Sequence, residues 1–439
     1  MTATPTAPTP PTPATSGASA TSATPAQDTD QPPQRASDLD PRLLVDEAGL
    51  AGYVTAFRRR LAGGELGSLP VVIGLVVIAL VFYTQQPAFL SAENLSNLVL
   101  QMIAVGTISL GIVMVLLLGE VDLSVGSISG VTAALFATQV VNHGRSQVLG
   151  FVLALLLGTA IGGFQGFFFT RFGVPSFVVT LAGLLGWQGL QLKVLGTTGS
   201  VNVTDGFVHS LTGAFYPPST GWLLAVIAVL LYAGVQLVEV RARSAAGLRP
   251  RPVVEVVTRC IVLAVVLGIG VAVLNRYRGV PFALVLFLVL VVLFDLLIRR
   301  TRYGRHVLAV GGNAEAARRA GISVAGIRLS VFMIAGLMAA LGGILNTSYL
   351  QSVDQSSGGS NTLLYAIAAA VIGGTSLFGG RGSAYSALLG VLVITAITNG
   401  MALLTLPAAT QFMVTGGVLL ASVTLDAVSR RGQKAKGRG

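Results

Sequence analysis

The residues whose types and spacing could do chemistry concentrate in one stretch: Gly311-Gly312-Asn313-Ala314-Glu315-Ala316-Ala317-Arg318-Arg319-Ala320-Gly321. Asn313 is a good N-cap after two glycines, and Ala314 to Ala320 favour helix. Glu315 suits the positive N-terminal end, Arg318 and Arg319 suit the C-terminal end, and Gly321 is a C′ stop. The spacing predicts a short, capped, charged helix inside the polar segment 301–326. Two uses fit such a helix: a solvated connector, or an element that docks into a partner's groove.

A second cluster stands at a Gly/Ser-rich interruption, Leu118 to Ser127, where Glu120 and Asp122 precede Ser124 and Gly126. Asp122 and Ser124 are placed to take up free backbone N–H groups of a following helix; substrate contact is the alternative. Gly373, Gly374 and Gly379 form a similar interruption in the second half of the chain. Paired breaks of this kind point to a transporter pathway. Other chemistries are excluded by what is missing. The single cysteine, Cys260, and three scattered histidines, His143, His209 and His306, make no metal site. There is no G-x-x-x-x-G-K-[ST] phosphate cradle and no H-E-x-x-H.

The elements that must carry these residues follow from composition. Of 439 residues, 53% are hydrophobic and 10% charged, with a mean hydropathy of +0.78. Ordinary globular proteins carry roughly 25% charged residues. Too little charge is present to cover a soluble domain of this size, so the chain is read as an integral membrane protein. Twelve apolar runs are long enough, or nearly so, to cross a bilayer as helices: about 69–84, 97–118, 125–141, 148–170, 175–196, 221–239, 256–274, 281–298, 327–350, 363–379, 385–406 and 410–428. The weakest, 125–141 and 363–379, are short and Gly-rich and read as broken or re-entrant segments.

The net charge of +11 is distributed as a membrane orientation signal, not as a nucleic-acid groove. With the N-terminus inside, inner loops hold Arg171, the group Arg241 to Arg251, the group Arg299 to Arg319, and Arg381, while outer loops hold only Arg145, Arg276 and Arg278. The expected fold class is therefore all-α: a polytopic helical membrane protein of about 12 spans (10–12), with broken helices, a weak internal repeat and both termini cytoplasmic. Residues 1–40 are a Thr/Ala/Pro-rich tail expected to be disordered. Residues 41–68 read as an interfacial segment, 69–430 as the membrane domain and 431–439 as a basic tail.

Glu315 to Gly321 resembles the E-A-A-x-x-x-G core of the coupling loop in ATP-binding-cassette (ABC) importer permeases. Gly311 to Ile322 resembles the ribose/xylose branch of them. Four further stretches are similar to that branch, in order along the chain: Val121 to Ser127, Pro175 to Gly183, Ala368 to Gly382, and Asn399-Gly400-Met401. The extra basic and apolar stretch over about 240–300 and Tyr216 to Gly221 resemble the D-xylose type. The resemblance implies a permease that does no chemistry and binds no cofactor, with ATP and Mg on a separate ABC ATPase docked at Gly311, Gly312, Asn313, Glu315, Ala316, Ala317, Arg318 and Gly321. It implies an extracytoplasmic sugar-binding protein, a second permease copy and the bacterial plasma membrane. A neutral sugar needs hydrogen-bonding groups without fixed charge. Asn97, Gln101, Gln188, Asn346 and Asn399, with Trp187 as a stacking surface, are the pathway candidates, and each could equally hold helices together.

Overall fold

The computed structural model describes residues 69–246 and 253–435. The expected tail 1–40, the interfacial segment 41–68, Arg249, Arg251 and the end of the basic tail from Lys436 lie outside the described residues.

Every one of the twelve apolar runs contains a helix. Among the described residues, nine helices are long and apolar enough to cross a membrane, and three more apolar helices are shorter. The protein is a multi-pass, all-α membrane protein. In a bilayer no water meets exposed backbone groups, so each run must close its own hydrogen bonds as helix.

In order, the first elements are α1 (Leu69–Gln85), α2 (Ala92–Leu117), α3 (Val125–Ala137), α4 (Gln147–Phe172) and α5 (Ser176–Leu195). The outer segment after them contains β1 (Ser200–Asn202), α6 (Gly206–Gly213) and β2 (Phe215–Tyr216). Then come α7 (Pro218–Ala245), α8 (Val253–Leu274), β3 (Val280–Pro281) and α9 (Phe282–Arg300). The inner segment forms α10 (Arg302–Gly312) and α11 (Ala314–Arg319). The chain ends with α12 (Val324–Leu350), β4 (Ser352–Asp354), α13 (Ser360–Ile372), α14 (Ala384–Leu403) and α15 (Ala408–Ala435).

Local signals set the helix ends. Ser91, Ser146 and Ser323 cap α2, α4 and α12, accepting hydrogen bonds from the N–H groups of Asn94, Leu149 and Gly326 at 3.2–3.3 Å. Gly173, with φ of 68°, stops α4. Of the two short runs, only 363–379 is broken; 125–141, whose glycines predict a break as well, stays helical throughout and is one of the nine long helices. The 125–141 run is α3 followed by a π-helical turn over Thr138–Asn142. The 363–379 run is helical only to Ile372. α13 has 13 residues, about 20 Å of helix against a hydrocarbon core of about 30 Å.

The core sits where α2 and α12 pack together with α3, α4 and α14 around them. The α4–α12 seam is built on glycine. Gly158, Gly162 and Gly166 recur every fourth residue, and their backbones lie against Gly336, Phe332 and Leu329 of α12. A Cβ on Gly162 would strike the Phe332 carbonyl. Small residues at this spacing let helices approach closely where lipid supplies no hydrophobic drive between them.

Contacts at the helix ends sort the loops into two sides. On one, β1 pairs with β4 (Ser200 opposite Asp354) and β2 with β3 (Phe215 opposite Pro281), both antiparallel. On the other, Glu120 meets Arg328 and Ser176, and Gly380 donates to the Leu117 carbonyl.

A topology test follows. With Cys260 replaced, cysteines at Ser200 and Ser356 should react with an impermeant thiol reagent applied from outside, and cysteines at Ala246 and Ser323 should not. Protection of Ser200 would overturn the orientation.

Candidate functional site

The charged inner segment folds as two helices, not one. Thr301 caps α10 through the Gly304 N–H at 3.0 Å, and Val307 and Val310 are buried beneath it. Asn313 then serves both helices. Its N–H bonds the Ala309 carbonyl at 3.0 Å, and its Oδ1 accepts from the Ala316 N–H at 2.9 Å. On α11, Glu315 pairs with Arg318 at 3.2 Å and Arg319 at 3.4 Å, all three exposed. Only Ala317 is buried. Gly321, with φ of 82°, ends the unit. The result is a rigid charged knob with one small apolar foot, and Gly312 and Ala316 open on its surface.

The knob is seated directly on backbone. Gly311 lies against the Leu117 carbonyl at the end of α2, with no room for a Cβ. The same carbonyl accepts from the Gly380 N–H at 2.9 Å, and Gly379 (φ of 83°) packs on Gly119. The two Gly-rich interruptions therefore meet beneath α10. Gly373 is close-packed on the Ser386 backbone, Gly374 takes a left-handed turn, and Gly126 packs on the Gly358 carbonyl. Beside them, Glu120 bridges Arg328 at 3.0 Å and accepts from the Ser176 hydroxyl at 2.7 Å, while Arg328 stands over the Phe169 ring at 4.7 Å.

The expected cap at the α2–α3 break is corrected in form. Asp122 is buried, 3% exposed. Its Oδ1 accepts from the Ser124 N–H at 2.8 Å and the Ser124 hydroxyl at 2.6 Å. Ser124 is the N-cap residue but makes no side-chain cap. The nearby carboxylate, the stronger acceptor, takes its hydroxyl hydrogen, and the Gln165 amide lies beside the same oxygen at 2.9–3.0 Å. Asp122 thus fixes the turn leading into α3 instead of capping the helix itself.

The six pathway candidates do not form one constellation. Asn399 accepts from Asn94 at 2.8 Å and donates to Gln101 at 3.4 Å, tying α14 to α2. Asn346 lines a small enclosed cavity of about 20 Å³ with Ser129, Ser357 and Thr362. Trp187 packs edge-on to Phe164 at 6.0 Å, and its buried indole N–H has no hydrogen-bond partner among the described residues. Gln188 is exposed on α5, and Asn97 is half-buried on α2. Near the inner end of α9, Asp295 pairs with Arg299 one turn on at 2.8 Å. Reading the sequence passed over Gln165, Gln191 and Asn94. Gln191 is the most telling, since its amide donates to the carbonyls of Asp354 and Ser357 at 2.9 Å and holds the loop before α13. Gln165 and Gln191 are amides within apolar runs, the same signal that singled out Asn97 and Gln101, whereas Asn94 stands just ahead of its run. Burial raises the Asp354 carboxyl, but hydrogen bonds from Ser356 and Ser357 outweigh it and hold the group below the usual carboxylate range.

Comparison with known proteins gives a consistent set. A family described as branched-chain amino acid transport system / permease component matches residues 94–423. A xylose transport system permease protein of Escherichia coli is 36% identical over 363 residues, covering 82% of this chain and 92% of that protein. A ribose import permease protein of Bacillus subtilis is 30% identical, covering 83% and 94%. An L-arabinose ABC transporter permease protein of Azospirillum brasilense is 30% identical, covering 82% and 89%. No solved structure matches.

Two outcomes follow from the geometry. Asp122→Asn keeps an acceptor for both Ser124 groups and should retain most function. Asp122→Ala should lose more, about 1 kcal/mol or somewhat above for an unmade buried hydrogen bond. Membrane levels and uptake of each variant check this, and equal severe loss in both would make the charge itself essential. Gly311→Ala drives a methyl into the Leu117 carbonyl and should destabilise the inner segment by about 1–3 kcal/mol, read as faster proteolysis at 302–322. Gly312→Ala, in open space, should be neutral in the same assay.

Proposed function

We infer the function from one premise: the chain belongs to the family of branched-chain amino acid transport system permease components. On that premise it is the membrane-spanning permease of an ABC sugar importer, with D-xylose as the first substrate to test. The observation that carries the reading is similarity to xylose permeases across more than four-fifths of the chain, strongest at 36% identity. Ribose and L-arabinose permeases, at about 30%, make another monosaccharide the second reading.

The chain serves as a transport component. ATP and Mg belong to a separate ATPase subunit, which docks on the α10–α11 knob at the inner face. An extracytoplasmic binding protein delivers the sugar to the side carrying the β-ladders, and a second permease copy completes the assembly in the bacterial inner membrane. The coupling residues are Gly311, Gly312, Asn313, Glu315, Ala316, Ala317, Arg318 and Gly321. The geometry supports two roles among these residues and their neighbour Arg319. Glu315, Arg318 and Arg319 are displayed for a partner, whereas Gly311 and Ala317 seat the knob. Movement of a docked ATPase would press on the end of α2 and on the 373–382 loop at once, because both share the Leu117 carbonyl. The interior polar groups are amides and hydroxyls, such as Asn346, Ser129 and Thr362, whose cavity of about 20 Å³ would have to widen to admit a sugar. These suit a neutral polyol, whereas an amino acid would call for charge-complementing groups.

Reconstitution with the ATPase and a xylose-binding protein tests the reading. Xylose uptake should require all three components and ATP. Uptake by the permease alone would identify a self-sufficient carrier instead. The exchange Glu315→Arg with Arg318→Glu keeps an ion pair on α11 but inverts the displayed charges and opposes the helix dipole. It should abolish binding-protein-stimulated ATP hydrolysis while leaving the amount of permease in the membrane unchanged. Undiminished stimulation would remove the docking role from α11.

A further inference from the structure

A groove of about 610 Å³ runs along the inner half of α7. Its long wall is apolar, with Leu231, Gly234 and Val235 among its lining residues. No side chain fills the space above Gly234, where an added Cβ would meet nothing within 4 Å. The inner end of the groove changes character. There Arg243 and Arg300 stand with Glu239. Glu239 lies 3.7 Å from Arg300, at the long end of an ion pair. Arg243 is half-buried and makes no hydrogen bond or ion pair within the described residues.

A guanidinium partly withdrawn from water without a counter-ion favours an anion beside it. The arginine asymmetry puts this end of α7 at the inner membrane surface, the level of lipid headgroups. The space leading away from it toward the bilayer centre is apolar and open sideways. One class of ligand combines an anion at headgroup level with an apolar chain directed into the bilayer. We propose that this groove is a binding site for an acidic phospholipid of the inner leaflet, with its phosphate on Arg243 and Arg300 and an acyl chain along Leu231, Gly234 and Val235. Free phosphate would use the arginines and leave the apolar wall uncovered. A second protein chain would need groups to match an arginine pair beside a bare aliphatic slot. Glu239 sets a limit on the ligand's charge, since its carboxylate orients Arg300 and disfavours a highly charged headgroup nearby. The site is built on α7 with Arg300 from the end of α9, just ahead of α10, and its recognition of lipid does not depend on the transport reading.

The test is native mass spectrometry of the full-length chain released from nanodiscs of mixed phosphatidylcholine and phosphatidylglycerol. Phosphatidylglycerol should be retained over phosphatidylcholine. Arg243→Gln should lower that retention about fivefold, the effect of one basic contact at the membrane surface. Gly234→Trp, which fills the apolar slot and leaves both arginines, should lower it too. Arg241→Gln removes an exposed charge of the same helix that does not line the groove, and should leave retention unchanged. Full retention in Arg243→Gln, or an equal loss in Arg241→Gln, would overturn the proposal by showing no site or only diffuse charge. Displacement of the lipid by glycerol phosphate at the concentration that phosphatidylglycerol itself needs would overturn it in favour of a bare anion site. Should Gly234→Trp fail to fold, the contrast between Arg243→Gln and Arg241→Gln decides.

Discussion

The structure depends on backbone meeting backbone at glycine. Lipid is as apolar as leucine, so nothing in the bilayer forces one apolar helix onto another. Helices stay together where their surfaces can come very close. Gly158, Gly162 and Gly166 give α4 that surface against α12, Gly343 gives it to α12 against Ser129 of α3, and Gly390 gives it to α14 against Ala369 of α13. The same device recurs outside the membrane, where Gly311 brings α10 onto the end of α2. Once these seams are fixed, the polar groups have little freedom. Asp122, Ser124 and Gln165 share a hydrogen-bonded cluster because α3 and α4 are both held against α12. Asn94, Gln101 and Asn399 form a network because α2 and α14 are packed side by side.

Much of the fold was legible because crossing a bilayer is a one-dimensional requirement. Length and apolarity can be counted along a chain, and all twelve counted runs became helices. Gly373 and Gly374 gave away the broken run at 363–379, whereas the glycines of 125–141 sit in its first turns and leave that helix whole. What counting apolar length cannot supply is who packs on whom. The four-residue glycine repeat in α4 is visible in the sequence, yet its partner at Phe332 and Gly336 is not. The β-ladders left no readable trace either. Strands of two or three residues carry no periodicity, and their pairing is decided by where the helices deliver the loop ends.

The candidate site divides along the same line. α11 was legible residue by residue, since its cap, its dipole-matched charges and its glycine stop act within one turn of the chain. α10 was less so, because its helix rests on burying Val307 and Val310 against distant elements. Asp122 shows the boundary well. Its partner Ser124 is two residues away and could be foreseen, whereas Gln165 lies forty-one residues on. Competition between the carboxylate and the helix N-terminus for the Ser124 hydroxyl could be judged only with all three groups in place.

The ladder between β1 and β4 constrains how the molecule is made. Ser200 pairs with Asp354, so the outer strand cannot close until the ribosome has delivered α12. At roughly 5–20 residues per second that is a wait on the order of ten to thirty seconds. Throughout it, α5 is already inserted, Gln191 lacks the carbonyls it will hold, and the edge of β1 is open. A nascent chain in this interval is a half-built molecule with a hydrogen-bonding edge exposed on the far side of the membrane. Shielding of that edge during synthesis therefore bears on whether the chain reaches the finished fold, apart from how stable that fold is.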